Sequence, residues 1–268
     1  MFSFAAITPH PPIIIPTIGS KEDIKKVKGT IDAMEKLKME MEKKSPETLI
    51  LISPHAPIDF HELTIITNEK LSGNFLMFGD FATNFELEND KNLIEEIEKE
   101  FKKEKINYRL LEEELDHGIL VPLFYLLESK KIKIVPLAYS MLDAKTNFKY
   151  GEALGKVIEK NPKKIGFVAS GDLSHRLTPS APAGYSPRGK LFDEKLINLL
   201  ENNNVNDFLE MDSSLIEEAG ECGFRSIAIL IGALSVLKNK DLKFNILSYE
   251  GPFGVGYLVA NVLGLVGS

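Results

Sequence analysis

A chain of 268 residues with 44% hydrophobic and 26% charged residues has the make-up of a globular protein able to bury a large core. Its formal net charge of −7 argues against a general surface for nucleic acid or anionic membrane. One cysteine, Cys222, excludes a disulfide framework and points to a reducing cytoplasm.

The N-terminus has no positive n-region and meets prolines early, unlike a signal peptide. "FSFAAI" reads as a buried strand. Ser20 followed by Asp23 predicts a capping-box start to a helix whose apolar positions run Ile24, Val27, Ile31, Met34, Leu37 and Met41. "TLILIS" is too short and apolar for a surface helix and predicts a central strand of parallel type. "ELTIIT" and "NFLMFG" predict further strands, with Ser72-Gly73 as turn material between them.

A helix carrying Leu93, Ile94, Ile97 and Phe101 on one face follows, then another over 118–129. "KIKIVPLAYS" and "KIGFVASGD" predict strands on either side of a helix over 146–160. Three prolines and two glycines make 175–190 a loop. Helices over 190–201 and 215–238 come next. "KFNILSY" and "VGYLVANVL" close the chain as strands, the last also readable as a helix. "IAILIGAL" and "GYLVANVLGLV" are interrupted by glycine and fall short of the ~20 residues of a membrane span.

Strands and helices alternate with no linker. This predicts a single α/β domain over 1–268, with a central, mostly parallel or mixed sheet and helices on both faces.

The phrases "ITPHPP" and "ISPHAP" each place a histidine after a strand and a proline. Proline holds the preceding Thr8 and Ser53 extended, which ends the strand and aims the next side chain outward. His10, His55 and His175 therefore share the carboxyl edge of the sheet, where open α/β folds bind ligands. His61 lacks the phrase and reads as a surface or structural residue. Two histidines and a carboxylate on one face of a metal is the pattern of non-haem Fe(II) with open positions. Asp172, Glu218, Glu221 and Glu250 are the carboxylate candidates; a Cys222 ligand would point to zinc or a different redox role.

"TPHPP", "SPHAP", "LDHGILVPL", "SGDLSHRL" and "GYSPRG" together resemble the class III extradiol ring-cleavage dioxygenases of the LigB type, in particular the AMMECR-associated and Memo-like branch. The resemblance covers nearly the whole chain. It implies a LigB-like fold and Fe(II) held by His10, His55 and an acidic residue, with Glu221 first and Glu250 third in preference. The Memo-like branch is similar around "CGFRS" and would put Cys222 at the metal instead. His175 matches the family's acid/base histidine. His117 matches a second, substrate-facing histidine, and reads equally well as a helix N-terminal residue with Asp116 as cap.

The resemblance further implies a catechol-type aromatic diol and O₂ as substrates. Arg176 and Arg188 are candidates to meet a substrate anion and Tyr185 to stack on its ring. A zinc hydrolase with the same ligands and a non-enzymatic Memo-like metal or partner-binding protein are the alternatives. A homo-oligomer or an AMMECR-type partner is compatible with the family.

Overall fold

The computed structural model describes residues 1–127, 132–239 and 241–265. Its strands are β1 (Phe2–Thr8), β2 (Thr48–Ser53), β3 (Leu63–Ile66), β4 (Lys70–Phe75), β5 (Asp80–Glu88), β6 (Tyr108–Leu111), β7 (Lys133–Ala138), β8 (Ile165–Ser170), β9 (Lys243–Glu250) and β10 (Tyr257–Leu263). The helices are α1 (Lys21–Lys26), α2 (Lys28–Lys44), α3 (Lys91–Glu104), α4 (His117–Leu126), α5 (Ala144–Lys160), α6 (Pro187–Glu201), α7 (Val205–Leu209), α8 (Ser213–Ala219) and α9 (Phe224–Ser235).

Eight strands form one mixed sheet in the order β6-β3-β7-β2-β8-β1-β10-β9, and β4 and β5 form a separate hairpin. The four central strands β7, β2, β8 and β1 are mutually parallel. β3 runs antiparallel to β7, and β10 antiparallel to both β1 and β9. β2 sits mid-sheet with every residue buried, which is why its sequence shows no polar alternation.

Alternate residues of the central strands enter two cores. Ile50, Ile52, Val135, Leu137 and Phe167 pack with the apolar faces of α3, α5, α6 and α9. Leu49, Leu51, Ile134 and Val168 pack with α2 and α4. Helices therefore cover both faces of this single α/β domain. α5 and α9 meet almost backbone to backbone: a Cβ on Gly151 would lie 2.0 Å from Ile229 O, and one on Gly232 2.0 Å from Phe148 O.

Several elements differ from the sequence expectation. The Ser20–Asp23 capping box is present, but it opens only α1; a second helix starts after Val27. The backbone N–H and hydroxyl of Thr30, in the first turn of α2, donate to Glu250 at 2.8 and 2.7 Å. Glu250 thus serves as a long-range cap for a helix start and is not among the clustered metal-ligating groups. Ser72 and Gly73 lie inside β4, paired with Glu86 and Phe85, and the turn comes at Leu76–Phe78. β5 and β6 lie outside every segment that the sequence predicts as a strand. The expected helix over 118–129 is α4, beginning at His117; its last expected residues lie outside those described. The expected run 215–238 breaks over 220–223, between α8 and α9. Gly220, at a φ of 62°, ends α8 in the left-handed conformation. The ambiguous final segment is the strand β10. Residues 171–186 contain no helix or strand.

Candidate active site

The carboxyl ends of β1, β2 and β8 lie side by side, Thr8 paired with Ser170 and Ile52 with Ala169. Each of these strands leads into a polar loop, and the histidines collect there. After β1, Pro9 turns the chain and His10 is fixed at three points. Its backbone N–H donates to Asp172 Oδ1 at 3.0 Å, its Nδ1 lies 3.0 Å from Ser170 Oγ, and its Nε2 lies 2.9 Å from His55 Nε2.

After β2, the Ser53 hydroxyl organises two histidines at once. Ser53 Oγ accepts from the backbone of His55 at 3.0 Å and donates to Asp116 Oδ1 at 2.6 Å. Asp116 is also the N-cap of α4, accepting from Gly118 N–H at 2.7 Å. That cap makes His117 the first helical residue. The imidazoles of His55 and His117 stack at 4.2 Å between centroids, and His10 meets both edge-on. Ligand atoms of His10, His55 and His117 all fall within 4.8 Å of one another.

His175 follows β8. Its backbone N–H donates to Ala219 O and its Nδ1 lies 2.5 Å from Gly220 O. A carbonyl only accepts, so Nδ1 carries the proton and Nε2 keeps its lone pair in the neutral ring.

Burial holds all four imidazoles neutral. His10 is driven well below the ordinary histidine value by burial first, then by the neighbouring His55, His117 and His175. His55 falls to about 4, by burial and then His117, with Asp116 opposing. Burial also lowers His117 and His175. His175 lowers both His10 and His55 as a neighbouring group, but the convergent donors are His10, His55 and His117. Asp172 is pushed up to about 7 by burial, against the His10 N–H that favours its charged form. Its 4.0 Å approach to His10 Nε2 is therefore a contact between groups that resist charging, not an ion pair.

The structure does not bring Glu221 to the imidazoles. Its carboxylate accepts from Phe224 N–H at the start of α9 and sits 3.9 Å from Arg225. Burial raises it to about 7, opposed by Phe224 N–H and Arg225. The adjacent Cys222 is the nearer neighbour: Sγ lies 3.7 Å from His10 Nε2 and accepts from Asp172 N–H at 3.3 Å. Burial, then Asp172 and Glu221, raise this thiol well above its usual value.

The remaining candidates scatter. Arg188 spans Glu218 and Asp212, both at 2.9 Å, which occupies Glu218 as well. Arg176 Nε is buried without a hydrogen-bond partner and packs on Gly220. Tyr185 is exposed, and His61 is an exposed loop residue whose N–H is held by Asp59. Clefts of about 220 and 290 Å³, lined by Leu237, Asn239 and Leu242, lie toward the opposite edge of the sheet, near Phe2 and Val262.

Sequence reasoning missed the seating of His10 by Ser170 and the packing of Phe78 on His117. Both depend on contacts between distant segments, and no local pattern announces them.

The family model described as the catalytic LigB subunit of aromatic ring-opening dioxygenase matches residues 4–260. The chain belongs to the LigB family. Among curated proteins this LigB chain is 35% identical to Protein CA_C1420 of Clostridium acetobutylicum over 94% of its length and 55% of that protein's. It is 28% identical to 3,4-dihydroxyphenylacetate 2,3-dioxygenase of Escherichia coli over 45% of this chain and 47% of the relative. It thus spans about half the length of the curated relatives it matches. An uncharacterized protein of Escherichia coli K12 has a similar crystal structure, with a TM-score of 0.69 at 17% identity, over 98% of this chain and 100% of that one. That likeness concerns the fold.

Proposed function

We propose that this protein is a non-haem Fe(II)-dependent extradiol dioxygenase that opens a catechol-type aromatic diol with O₂. The observation that carries this reading is the convergence of His10, His55 and His117 within 4.8 Å, beside His175.

The donor set fits a divalent transition metal. Its imidazoles are neutral, His10 and His55 present Nε2 to Nε2, and imidazole suits iron, zinc, copper and nickel alike. His10 and His55 are the core ligands in this reading. His117 is the third donor within reach, and Cys222 and Asp172 border His10. Ferrous iron in such a site would supply electron transfer between a bound diol and O₂. The chain's own part is to hold the diol, keep the site dry and move protons. His175 Nε2, unprotonated because Nδ1 faces Gly220 O, takes a proton from a diol hydroxyl. Burial keeps this base uncharged at neutral pH, ready to accept. Arg176, beside His175, is the proposed contact for a substrate anion, and Tyr185, exposed on the same loop, the proposed stacking partner of its ring. A cytoplasmic location agrees with this ferrous chemistry and a lone thiol; among the described residues no helix is long and apolar enough to cross a membrane.

One observation favours a second reading. A thiol 3.7 Å from His10 Nε2 suits a softer metal such as zinc, or a Memo-like redox or binding role without ring cleavage. Protein purified without oxygen should contain about one iron per chain and consume O₂ with a catechol panel, one O₂ per ring opened. Zinc occupancy with no oxygen uptake would reject the dioxygenase.

A further inference from the structure

The hairpin of β4 and β5 ends in a sequence that a soluble surface seldom carries: Leu76, Met77, Phe78, then Phe81. Met77 is 94% and Phe81 79% exposed. Phe78 does not face away from the site, because its ring lies 5.2 Å from that of His117, edge to face. The tip is firmly anchored. Phe75 packs against Phe85 and Phe124, fastening the hairpin to α4. Asp80 accepts from both Thr17 and Thr83 hydroxyls at 2.6 Å, tying the tip to the segment that follows His10. Exposed apolar side chains gathered on one anchored hairpin tip mark a binding surface.

We propose that this tip is a specificity wall of the histidine site, selecting aromatic diols that carry a bulky, uncharged apolar substituent. The inference rests on the ring-cleavage reading for the diol and on the hairpin alone for the substituent. Continuity decides the occupant: Phe78 touches His117 itself, so a molecule seated on the imidazoles meets Phe78 first, and Met77 and Phe81 are the exposed apolar side chains on the same hairpin tip. The charged groups point the same way. Arg188 is spent on Asp212 and Glu218, and Arg176 lies on the Gly220 side, next to His175. A substituent directed along the hairpin thus meets aromatic and thioether surface. A carboxylate there would meet apolar surface and gain nothing from Arg188, whose guanidinium is already paired.

The test is anaerobic titration calorimetry of the Fe(II)-loaded protein with catechol, 4-phenylcatechol and 3,4-dihydroxybenzoate, and of the metal-free protein with 4-phenylphenol. A double variant, Met77→Ser with Phe81→Ser, removes exposed wall without touching the histidines; circular dichroism checks its fold. The phenyl compound should bind about tenfold or more tightly than either other diol, as expected for burying one ring face. The double variant should erase most of that preference and leave catechol unchanged. Equal affinities overturn the proposal, and tighter binding of the carboxylate overturns it in favour of Arg176. If no diol binds, the ring-cleavage reading falls, and 4-phenylphenol judges the wall separately: binding lost in the double variant sustains it, and absence of binding overturns it. A wild-type dimer dissolved by the double variant, with no phenyl preference, makes the tip a contact between copies and likewise overturns the proposal.

Discussion

His175 and His117 look alike in composition and differ in what their second nitrogen does. His175 gives Nδ1 to Gly220 O, which leaves one nitrogen for proton transfer. His117 stands among the convergent donors. His175→Ala should therefore retain metal while turnover drops by about 10²- to 10⁴-fold, the usual loss when a general base is removed. Metal analysis beside steady-state oxygen uptake checks this; loss of metal would make His175 a ligand. The same measurement separates the third-ligand candidates. His117→Ala should weaken metal retention. Glu221→Ala should keep the metal and lower thermal stability, by about 0.5–2 kcal/mol if the loss is that of a helix cap. A Glu221→Ala protein that is stable but metal-free would restore the carboxylate to the metal.

At the level of elements, the break between α8 and α9 does most to shape the site. Hydrophobic periodicity runs on from Leu215 into Leu234, so sequence alone suggests one helix. One close approach and one left-handed glycine interrupt it. Gly171, after β8, lies so near the break that a Cβ there would stand 2.1 Å from Gly223 Cα. This contact brings Asp172 and Cys222 together, with Cys222 N–H donating to Asp172 O at 3.2 Å. Gly171→Ala must push the two loops apart. We expect a loss of stability of about 1–3 kcal/mol, as for an overpacked core, and weaker metal binding, because Asp172 also holds the His10 backbone. Unchanged melting and unchanged metal affinity would show that the contact is not needed. Helix α2 teaches the same lesson, since its start is capped by Glu250, some 220 residues away.

At the scale of the whole molecule, buried carboxylates set the pH response. Asp193 on α6 accepts from Ser174 N–H and the Tyr249 hydroxyl, joining α6, the His175 loop and β9. Burial raises its pKa from 3.8 to about 7, against the hydrogen bonds that favour ionisation. Because the folded value lies above the unfolded one, its contribution is complete below about pH 4 and is lost as pH rises through 7. Asp193→Asn should gain stability relative to the parent between pH 4 and 7, by at most about 1.4 kcal/mol per pH unit, and level off above. Parallel urea titrations of the metal-free proteins at pH 5 and 8 read this directly. A constant difference between the two pH values would mean that Asp193 ionises normally in the fold.

Much of this protein is determined by local sequence. The apolar run of β2, the capping box of α1, the loop after β8 and the two Pro-His phrases each specify their conformation within a few residues, through burial demand, side-chain capping or the fixed φ of proline. Alternation of strands and helices is enough to imply a mostly parallel or mixed α/β sheet, and the Pro-His phrases place His10 and His55 at its carboxyl edge. Tertiary structure alone decided which further groups join them. Whether Glu221 or Cys222 faces His10 depends on where a helix breaks, and that break is set by a backbone contact with Gly171. His117 enters because a serine on β2 and the cap of α4 share one hydrogen bond. These are contacts between segments far apart in the chain, and side-chain periodicity carries no record of them.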